Sequence, residues 1–199
     1  MAETVFRSTF NRVLSYVAWA LLAVAIVITL VTPGGLAIAP AVALGCAGGA
    51  ALIWALLWAP YLGVDDGGVT VVNVFTRYRV PWEALIHLDT QYALTLHTPN
   101  RRVRATAAPA PGSLSSLRAA RSHRRKGGDT AGVRPGDLPG TDSGDAADLV
   151  LTRWHDRRDR GLIETGLAEG IAVRPHPRVS AVAAVALGVL ALAGAALLV

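Results

Sequence analysis

The residues best suited to chemistry in this chain of 199 residues are four arginines in two alternating segments. Arg77 and Arg79 belong to "TRYRV", and Arg102 and Arg104 belong to "RRVRA". Because side chains alternate between the two faces of a strand, each pair shares one face, opposite the apolar residues of its segment. Each basic residue near an anionic lipid surface contributes about 1 kcal/mol to binding. We therefore predict that these four arginines contact anionic lipid headgroups or a partner protein.

A simpler interpretation of the four arginines is that they are solvated and keep the sheet edges from aggregating. A further basic cluster, residues 118–126, is suited to a looser contact with the same membrane surface. Nucleic acid is not an expected partner, because no aromatic stacking platform lies beside this cluster. These observations leave the membrane, other membrane proteins or a second copy of the chain as partners.

The remaining polar residues do not form a catalytic or metal-binding pattern. The five histidines lack metal-ligand spacing; they are His87, His97, His123, His155 and His176. Asp65 and Asp66 have turn composition and no third acidic companion for acid–base work. Cys46 is the single cysteine, so it cannot form an internal disulfide, and it lies in an apolar segment. We predict no catalytic residue, no metal and no cofactor, and hence a protein that is not an enzyme.

Three apolar segments dominate the rest of the sequence, at residues 13–31, 36–62 and 179–199. None contains a charged residue, and each is long enough to cross a hydrocarbon core of roughly 30 Å as a helix. The turn sequence "TPGG", Thr32 to Gly35, separates the first two. The pattern predicts an N-terminal transmembrane hairpin and a C-terminal transmembrane helix.

Two of these segments have other interpretations. "AIA" at residues 37–39 has the form of a signal-peptide cleavage site, although Pro40 follows it directly. The last segment could instead be a buried soluble helix, but it has no polar face. Its small residues recur every four positions, as at Ala184 and Gly188, which favours close helix packing within or between chains.

The distribution of basic residues predicts the orientation of the spans. Arg7 and Arg12 precede the first span, and the other seventeen of the nineteen basic residues lie within residues 63–178. By the positive-inside rule the N-terminus and the middle region face the cytoplasm, and the C-terminus lies outside. Aromatic residues near the predicted inner helix ends fit an interfacial belt or helix–helix packing; they are Tyr16, Trp19, Trp54, Trp58 and Tyr61.

Residues 63–108 have the composition of a small β-domain. Segments 69–74 and 76–80 alternate and predict a hairpin, with Tyr78 and Val80 inward and Trp82 planted in the core by a short turn. Segments 86–88, 93–98 and 101–107 add three strands, the last two joined by a β-turn at "TPN".

The chain beyond this β-domain changes character twice. Residues 109–144 are rich in Pro, Gly, Ser, Asp and Arg and predict a disordered loop. Residues 145–161 then predict a helix capped by Asp145, with one apolar stripe and a stop at Gly161. We expect this helix to close the β-domain, and we expect residues 162–178 to form a linker.

At this point a family resemblance is visible in the sequence. "GVTVVNVFTRYRVPWEALIHL", from Gly68 to Leu88, followed by "ALTLHTPNRRVRA", resembles the bacterial pleckstrin-homology (PH)-like domains of actinobacterial membrane proteins, of the low-molecular-weight protein antigen 6 type. The resemblance implies a seven-stranded sandwich or partial barrel with a C-terminal helix. It implies no activity, because this fold is a scaffold and not a function.

Together these patterns predict an α+β membrane protein: a transmembrane hairpin, a PH-like β-domain with its closing helix, and a last transmembrane helix. We expect a multi-pass protein of the bacterial inner (plasma) membrane that presents the β-domain in the cytoplasm for non-enzymatic contacts with proteins or anionic lipids. The alternative is an accessory or assembly subunit of a larger membrane complex.

Overall fold

The computed structural model describes residues 3–125, 134–163 and 168–198, and it divides into two compact units. The helical unit comprises residues 9–60 and those from 178 onward. The β-unit comprises the residues before Thr9 and residues 61–177. The chain passes between the two units three times, through connections only one or two residues long.

The helical unit contains three helices: α1 (Thr9–Val31), α2 (Gly35–Ile53) and α5 (Val179–Leu197). A π-helical turn, Trp54–Trp58, extends α2. All three helices are long and apolar enough to cross a membrane, which confirms this part of the predicted fold class. The second span ends earlier than predicted from residues 36–62, because Tyr61 and Leu62 begin a strand.

Small residues bring α2 and α5 together. A Cβ atom added at Gly48 would lie 2.6 Å from the carbonyl oxygen of Gly188, and one added at Gly188 would lie 2.9 Å from that of Gly48. Both distances are too short for a methyl group. The four-residue spacing of small residues in the last span therefore corresponds to packing within the chain.

The aromatic residues near one end of α1 and α2 contact each other. The ring centroids of Tyr16 and Trp19 each lie 5.3 Å from that of Trp58, and the guanidinium of Arg12 lies 5.1 Å from it. Of the two interpretations of these residues, helix–helix packing describes Tyr16, Trp19 and Trp58.

The β-unit begins with an antiparallel sheet in the order β1-β2-β3-β4-β8. Its strands are β1 (Thr4–Phe6), β2 (Tyr61–Asp65), β3 (Gly68–Val72), β4 (Thr76–Pro81) and β8 (Pro175–Pro177). The hairpin of β3 and β4 was expected, and Val80 is fully buried as predicted. The other three strands were not foreseen, because β1 and β8 are three residues long and β2 continues an apolar run without a break.

A second antiparallel sheet has the order β5-β6-β7, with β5 (His87–Asp89), β6 (Ala93–Thr98) and β7 (Arg101–Pro109). Leu94, Leu96 and Val103 are buried, while Arg102 and Arg104 are exposed on the opposite face. The predicted alternation in these strands is confirmed. The described residues thus contain eight strands in two sheets, where the family resemblance implied seven.

The side-chain amide of Asn73 joins the two sheets. It donates to the carbonyl of Arg104 at 2.8 Å, and its oxygen accepts from the backbone N–H of Thr106 at 2.9 Å. The carbonyl of Arg104 and the N–H of Thr106 lie at the edge of β7, where a neighbouring strand would normally pair with them. The amide of Asn73 pairs with them instead.

Helix α4 (Asp142–Asp159) closes the β-unit by packing on β2, β6 and β7. Ala146, Ala147 and Val150 enter the same buried cluster as Trp82 and the inward residues of both sheets. The N-cap is Thr141, whose hydroxyl accepts from the N–H of Gly144. The predicted cap, Asp145, lies instead in the first turn, where it accepts from the N–H of Gly140.

Two predictions for the surrounding segments need correction. Residues 109–144 were expected to be disordered, but they contain α3 (Ser113–Arg125) and a 3-10 turn at Pro135–Asp137; residues 126–133 lie outside the described part. Residues 162–178 were expected to be a linker, yet β8 pairs there with β4. Pro175 and Pro177 weaken strand composition, which is why the sequence does not reveal this edge strand.

Candidate anion-contact surfaces

The turn between β2 and β3 is the best-defined polar cluster in the β-unit. Asp65 receives two hydrogen bonds from Arg79, at 2.7 and 2.6 Å, in a bidentate ion pair. Arg79 also donates to the hydroxyl of Thr70 at 2.9 Å. Gly68 closes the turn with φ +144, where a Cβ would lie 2.2 Å from the carbonyl oxygen of Val80. The turn that the composition around Asp65 and Asp66 predicted is therefore present, and Arg79 is hydrogen-bonded to it.

The ion pair changes the pKa of both partners. The hydrogen bonds from Arg79 lower the pKa of Asp65; burial opposes this effect, and the N–H of Gly67 adds to it. The same contact with Asp65 raises the pKa of Arg79. Because its guanidinium hydrogen-bonds Asp65 and Thr70, Arg79 stabilises this turn.

The other acidic residue of the turn also binds an arginine. Arg157 of α4 donates to Asp66 at 3.1 Å, and the indole N–H of Trp82 donates to the carbonyl of Asp65 at 3.1 Å. These contacts link the closing helix and the buried tryptophan to one turn. They give both aspartates a structural role in this turn.

Arg77 lies on the same sheet face as Arg79 but in a different setting. It is exposed, and it pairs across the strands with His176 of β8. No described residue forms a hydrogen bond or ion pair with its guanidinium. Arg174, also exposed, precedes β8. We call Arg77, Arg174 and His176 the edge-strand surface. Arg174 and His176 lie within five residues, along the chain, of Val179, the first residue of α5.

The second arginine pair lies on the outer face of the β5-β6-β7 sheet. His87, His97 and Arg102 form one row across the three strands, and Arg104 lies opposite Thr95 in the next row. The imidazole rings of His87 and His97 are stacked, with centroids 3.9 Å apart and planes 21° apart. We call His87, His97, Arg102 and Arg104 the histidine–arginine face.

The pKa of His97 is held below its ordinary value. Burial is the largest cause, followed by repulsion from His87 and from Arg102; Asp89 acts weakly in the opposite direction. The imidazole is therefore mostly neutral near pH 7. A negative ligand beside it would reverse this effect by favouring the charged form.

The four arginines predicted as one kind of site thus occupy three environments. Arg79 is held by Asp65, Arg77 belongs to the edge-strand surface, and Arg102 and Arg104 belong to the histidine–arginine face. Sequence reasoning treated the histidines one at a time and missed the stacked pair. The sequence placed both histidines in predicted strands, at 86–88 and 93–98, but it did not give the register that stacks them.

The basic cluster at residues 118–126 is largely helical. Arg118, Arg121, Arg124 and Arg125 are exposed on α3, whereas Lys126 lies outside the described residues. Helix α3 contacts the 3-10 turn at Pro135–Asp137. Among the described residues, no group of three or more histidine, cysteine or acidic side chains could hold a metal ion.

Two antiparallel sheets closed by a helix define a PH-like domain, and the same chain carries three helices long and apolar enough to cross a membrane. The family comparison agrees with this class: the model of the bacterial PH domain matches residues 59–163, just over half of the chain. The chain belongs to this bacterial PH domain family. The match runs through α4, so the closing helix is part of the domain despite the long segment before it. Comparisons with curated proteins and with solved structures give no match.

Proposed function

We propose that this protein is a non-enzymatic interaction module anchored in the bacterial inner membrane, with its PH-like domain in the cytoplasm. The observation that carries the proposal is the direct continuity of strands and spans: β1, β2 and β8 join α1, the α2 extension and α5 through one or two residues. Such short connections suit a domain that works at a membrane surface. The family match supports an interaction role by analogy with PH-type domains in general, since a fold alone does not define a function.

Within this proposal, the edge-strand surface contacts anionic headgroups. Only two residues separate His176 from Val179 at the start of α5, and a residue spans at most about 3.6 Å. The chain itself therefore keeps His176 and its neighbour Arg77 close to any bilayer that α5 crosses. Arg79 has no part in the contact, because Asp65 already holds it.

The test counts anionic lipids that stay bound to the full chain. The protein is purified in neutral detergent with a mixture of phosphatidylglycerol and phosphatidylcholine, and native mass spectrometry measures retention of each lipid. The double variant Arg77→Gln, Arg174→Gln should retain phosphatidylglycerol with roughly 30-fold lower affinity, as expected for about 1 kcal/mol per basic residue.

The control variant Arg158→Gln, Arg160→Gln removes the same charge from exposed residues near the end of α4. Equal retention by wild type and the Arg77, Arg174 variant would refute the lipid contact. A protein co-purifying in fixed stoichiometry, with no lipid preference, would instead favour an accessory subunit of a larger membrane complex.

A further inference from the structure

The histidine–arginine face combines two stacked imidazoles with two exposed guanidinium groups on one open sheet surface. We propose that this face binds a phosphate group, and that its two histidines strengthen the binding at acidic pH. This site is distinct from the edge-strand surface, and it does not depend on the lipid contact proposed there.

The strand register brings the cationic groups within reach of one small anion. Directly opposed residues on neighbouring antiparallel strands have Cβ atoms about 4.5–5.5 Å apart, so His87, His97 and Arg102 span roughly 10 Å. No described residue hydrogen-bonds the guanidinium of Arg102, which leaves its planar fork of donors for a phosphate. Arg104 uses one nitrogen to donate to the carbonyl of Tyr92 at 3.2 Å and stays exposed.

The stacked rings are suited to donate hydrogen bonds at their edges. Because the faces of His87 and His97 contact each other, the ring nitrogens lie at the perimeter of the stack. Nearly parallel rings do not direct two nitrogen lone pairs at a common point, so this geometry favours anion contact over metal chelation. A protonated imidazole has two N–H donors, and a neutral one has a single donor.

The charged groups around the pair favour a negative ligand. The groups that face it are Asp89 on β5, Arg102 and Arg104 on β7, and Arg134. Asp89 is the acidic member of this set, and Arg134 lies 3.6 Å from its carboxylate. An incoming phosphate thus meets an excess of positive charge, which increases when an imidazole is protonated.

The pH dependence follows from linkage. Burial, His87 and Arg102 all lower the pKa of His97, and a bound phosphate opposes the last two by neutralising their charge. Phosphate binding must then raise the pKa of His97. For a phosphodiester headgroup, whose own charge stays constant over this pH range, acidification must strengthen the binding by the same factor. The increase is complete only below the pKa of His97 in the free protein, which lies under the ordinary histidine value of about 6.5.

The experiment follows the imidazole signals of the full chain in neutral detergent by proton–nitrogen NMR. Titrations of His87 and His97 are recorded with chloride, with inorganic phosphate at equal ionic strength, and in mixed micelles containing phosphatidylglycerol or phosphatidylcholine. We expect the pKa of His97 to rise by half a unit or more with phosphate or phosphatidylglycerol, relative to chloride and phosphatidylcholine. A response to inorganic phosphate identifies a free phosphate ligand, and a response to phosphatidylglycerol alone identifies a headgroup.

Variants separate the roles of the side chains. Arg102→Gln should weaken phosphate binding roughly five- to tenfold at all pH values. His87→Gln combined with His97→Gln should keep the phosphatidylglycerol binding seen at pH 8 and lose the increase at pH 5.5, because the charge of this headgroup is the same at both pH values. The backbone NMR spectrum of each variant reports whether the domain is folded. If Arg102→Gln does not fold, Arg104→Gln serves as the second variant.

His155, exposed on α4, is the internal reference for nonspecific effects of charge. The proposal would be overturned if the pKa of His97 stays unchanged with inorganic phosphate and with phosphatidylglycerol, or if it changes no more than the pKa of His155. Persistence of the full effect in Arg102→Gln and Arg104→Gln would do the same. Loss of the lipid contact at Arg77 and Arg174 would leave these results unchanged, so the two proposals fail separately.

Discussion

At the scale of single residues, the two arginines of β4 show how one sequence pattern yields different roles. Arg77 and Arg79 are two positions apart on the same strand face, yet only Arg79 meets a carboxylate. The difference arises because Arg79 lies opposite Thr70, beside the turn that carries Asp65, while Arg77 lies opposite Val72. Alternation predicts the face of a side chain but not its neighbours.

We predict that Arg79→Gln destabilises the β-unit by about 1 kcal/mol, since it removes two charge-assisted hydrogen bonds at a half-buried site. Arg77→Gln, which removes the same charge from an exposed position, should change stability by less than about 0.5 kcal/mol. Urea unfolding of the full chain in neutral detergent, followed by near-ultraviolet circular dichroism, measures both. Equal midpoints for the two variants would show that the Asp65 pair contributes nothing.

The same ion pair predicts an acid dependence of stability. The pKa of Asp65 is lower in the folded protein, so its contribution is present above the unfolded pKa of about 3.9 and disappears as the pH falls through the folded value. Between pH 5 and pH 2, wild type should therefore lose more stability than Arg79→Gln, in which the largest cause of this pKa shift is absent. Parallel pH profiles for the two proteins would contradict the assignment.

At the scale of secondary-structure elements, Asn73 has a structural role that its sequence context conceals. Its amide hydrogen-bonds the edge of β7, and its backbone N–H donates to Thr76 across the β3–β4 turn. One residue thus closes a hairpin and fastens the two sheets. Asparagine is common near turns because its side chain hydrogen-bonds the nearby backbone. Its presence at position 73 therefore does not predict the long-range contact with β7.

We predict that Asn73→Ala costs about 1–2 kcal/mol of stability, because the N–H of Thr106 and the carbonyl of Arg104 lose their amide partner. Gln91→Ala is the matched control: Gln91 is exposed, and its amide reaches only the hydroxyl of Tyr92, at 3.4 Å. The midpoint of urea unfolding distinguishes them. If Asn73→Ala unfolds at the wild-type midpoint, water hydrogen-bonds the N–H of Thr106 and the carbonyl of Arg104 as well as the amide does.

The strands with a long alternating pattern of apolar and polar residues were predicted from the sequence, and the short strands were not. The β6–β7 hairpin and the inward residues Leu94, Leu96 and Val103 were predicted correctly, because they alternate over six or more positions. The strands β1 and β8 contain three residues each, which is too short for a period to be visible. Both depend on a partner distant in sequence.

The candidate sites divide in the same way. The outward faces of Arg102 and Arg104 follow from alternation, whereas the stacking of His87 on His97 depends on register. A shift of one residue in that register would place the two imidazoles on opposite faces of the sheet. Register in turn depends on how β5 enters the sheet after the 3-10 turn Trp82–Ala84, which the sequence alone leaves open.

At the scale of the whole molecule, the helical unit depends on close contact between helices far apart in sequence. We predict that Gly48→Ala destabilises this unit by about 1–3 kcal/mol, because the added methyl group overlaps the carbonyl oxygen of Gly188. Gly45→Ala, three residues away, places its Cβ at an ordinary 3.5 Å from Ala195 and should be nearly neutral. Unfolding by sodium dodecyl sulfate, followed by far-ultraviolet circular dichroism, compares them. A neutral Gly48→Ala would mean that α2 and α5 are not packed this closely.

Orientation is the last property that belongs to the whole chain. If all three helices cross the membrane, as we propose, the two ends of the described chain lie on opposite sides of it, and the positive-inside rule predicts which side is which. Alkaline phosphatase, which is active only outside the cytoplasm, should be inactive when fused after Arg125 and active when fused after Pro33 or Leu198. Green fluorescent protein should give the reverse pattern. Phosphatase activity after Arg125 would place the PH-like domain outside the cytoplasm. Arg77 could then not contact the cytoplasmic leaflet. The fusion after Pro33 is the internal control, because the α1–α2 turn must then report the cytoplasmic side.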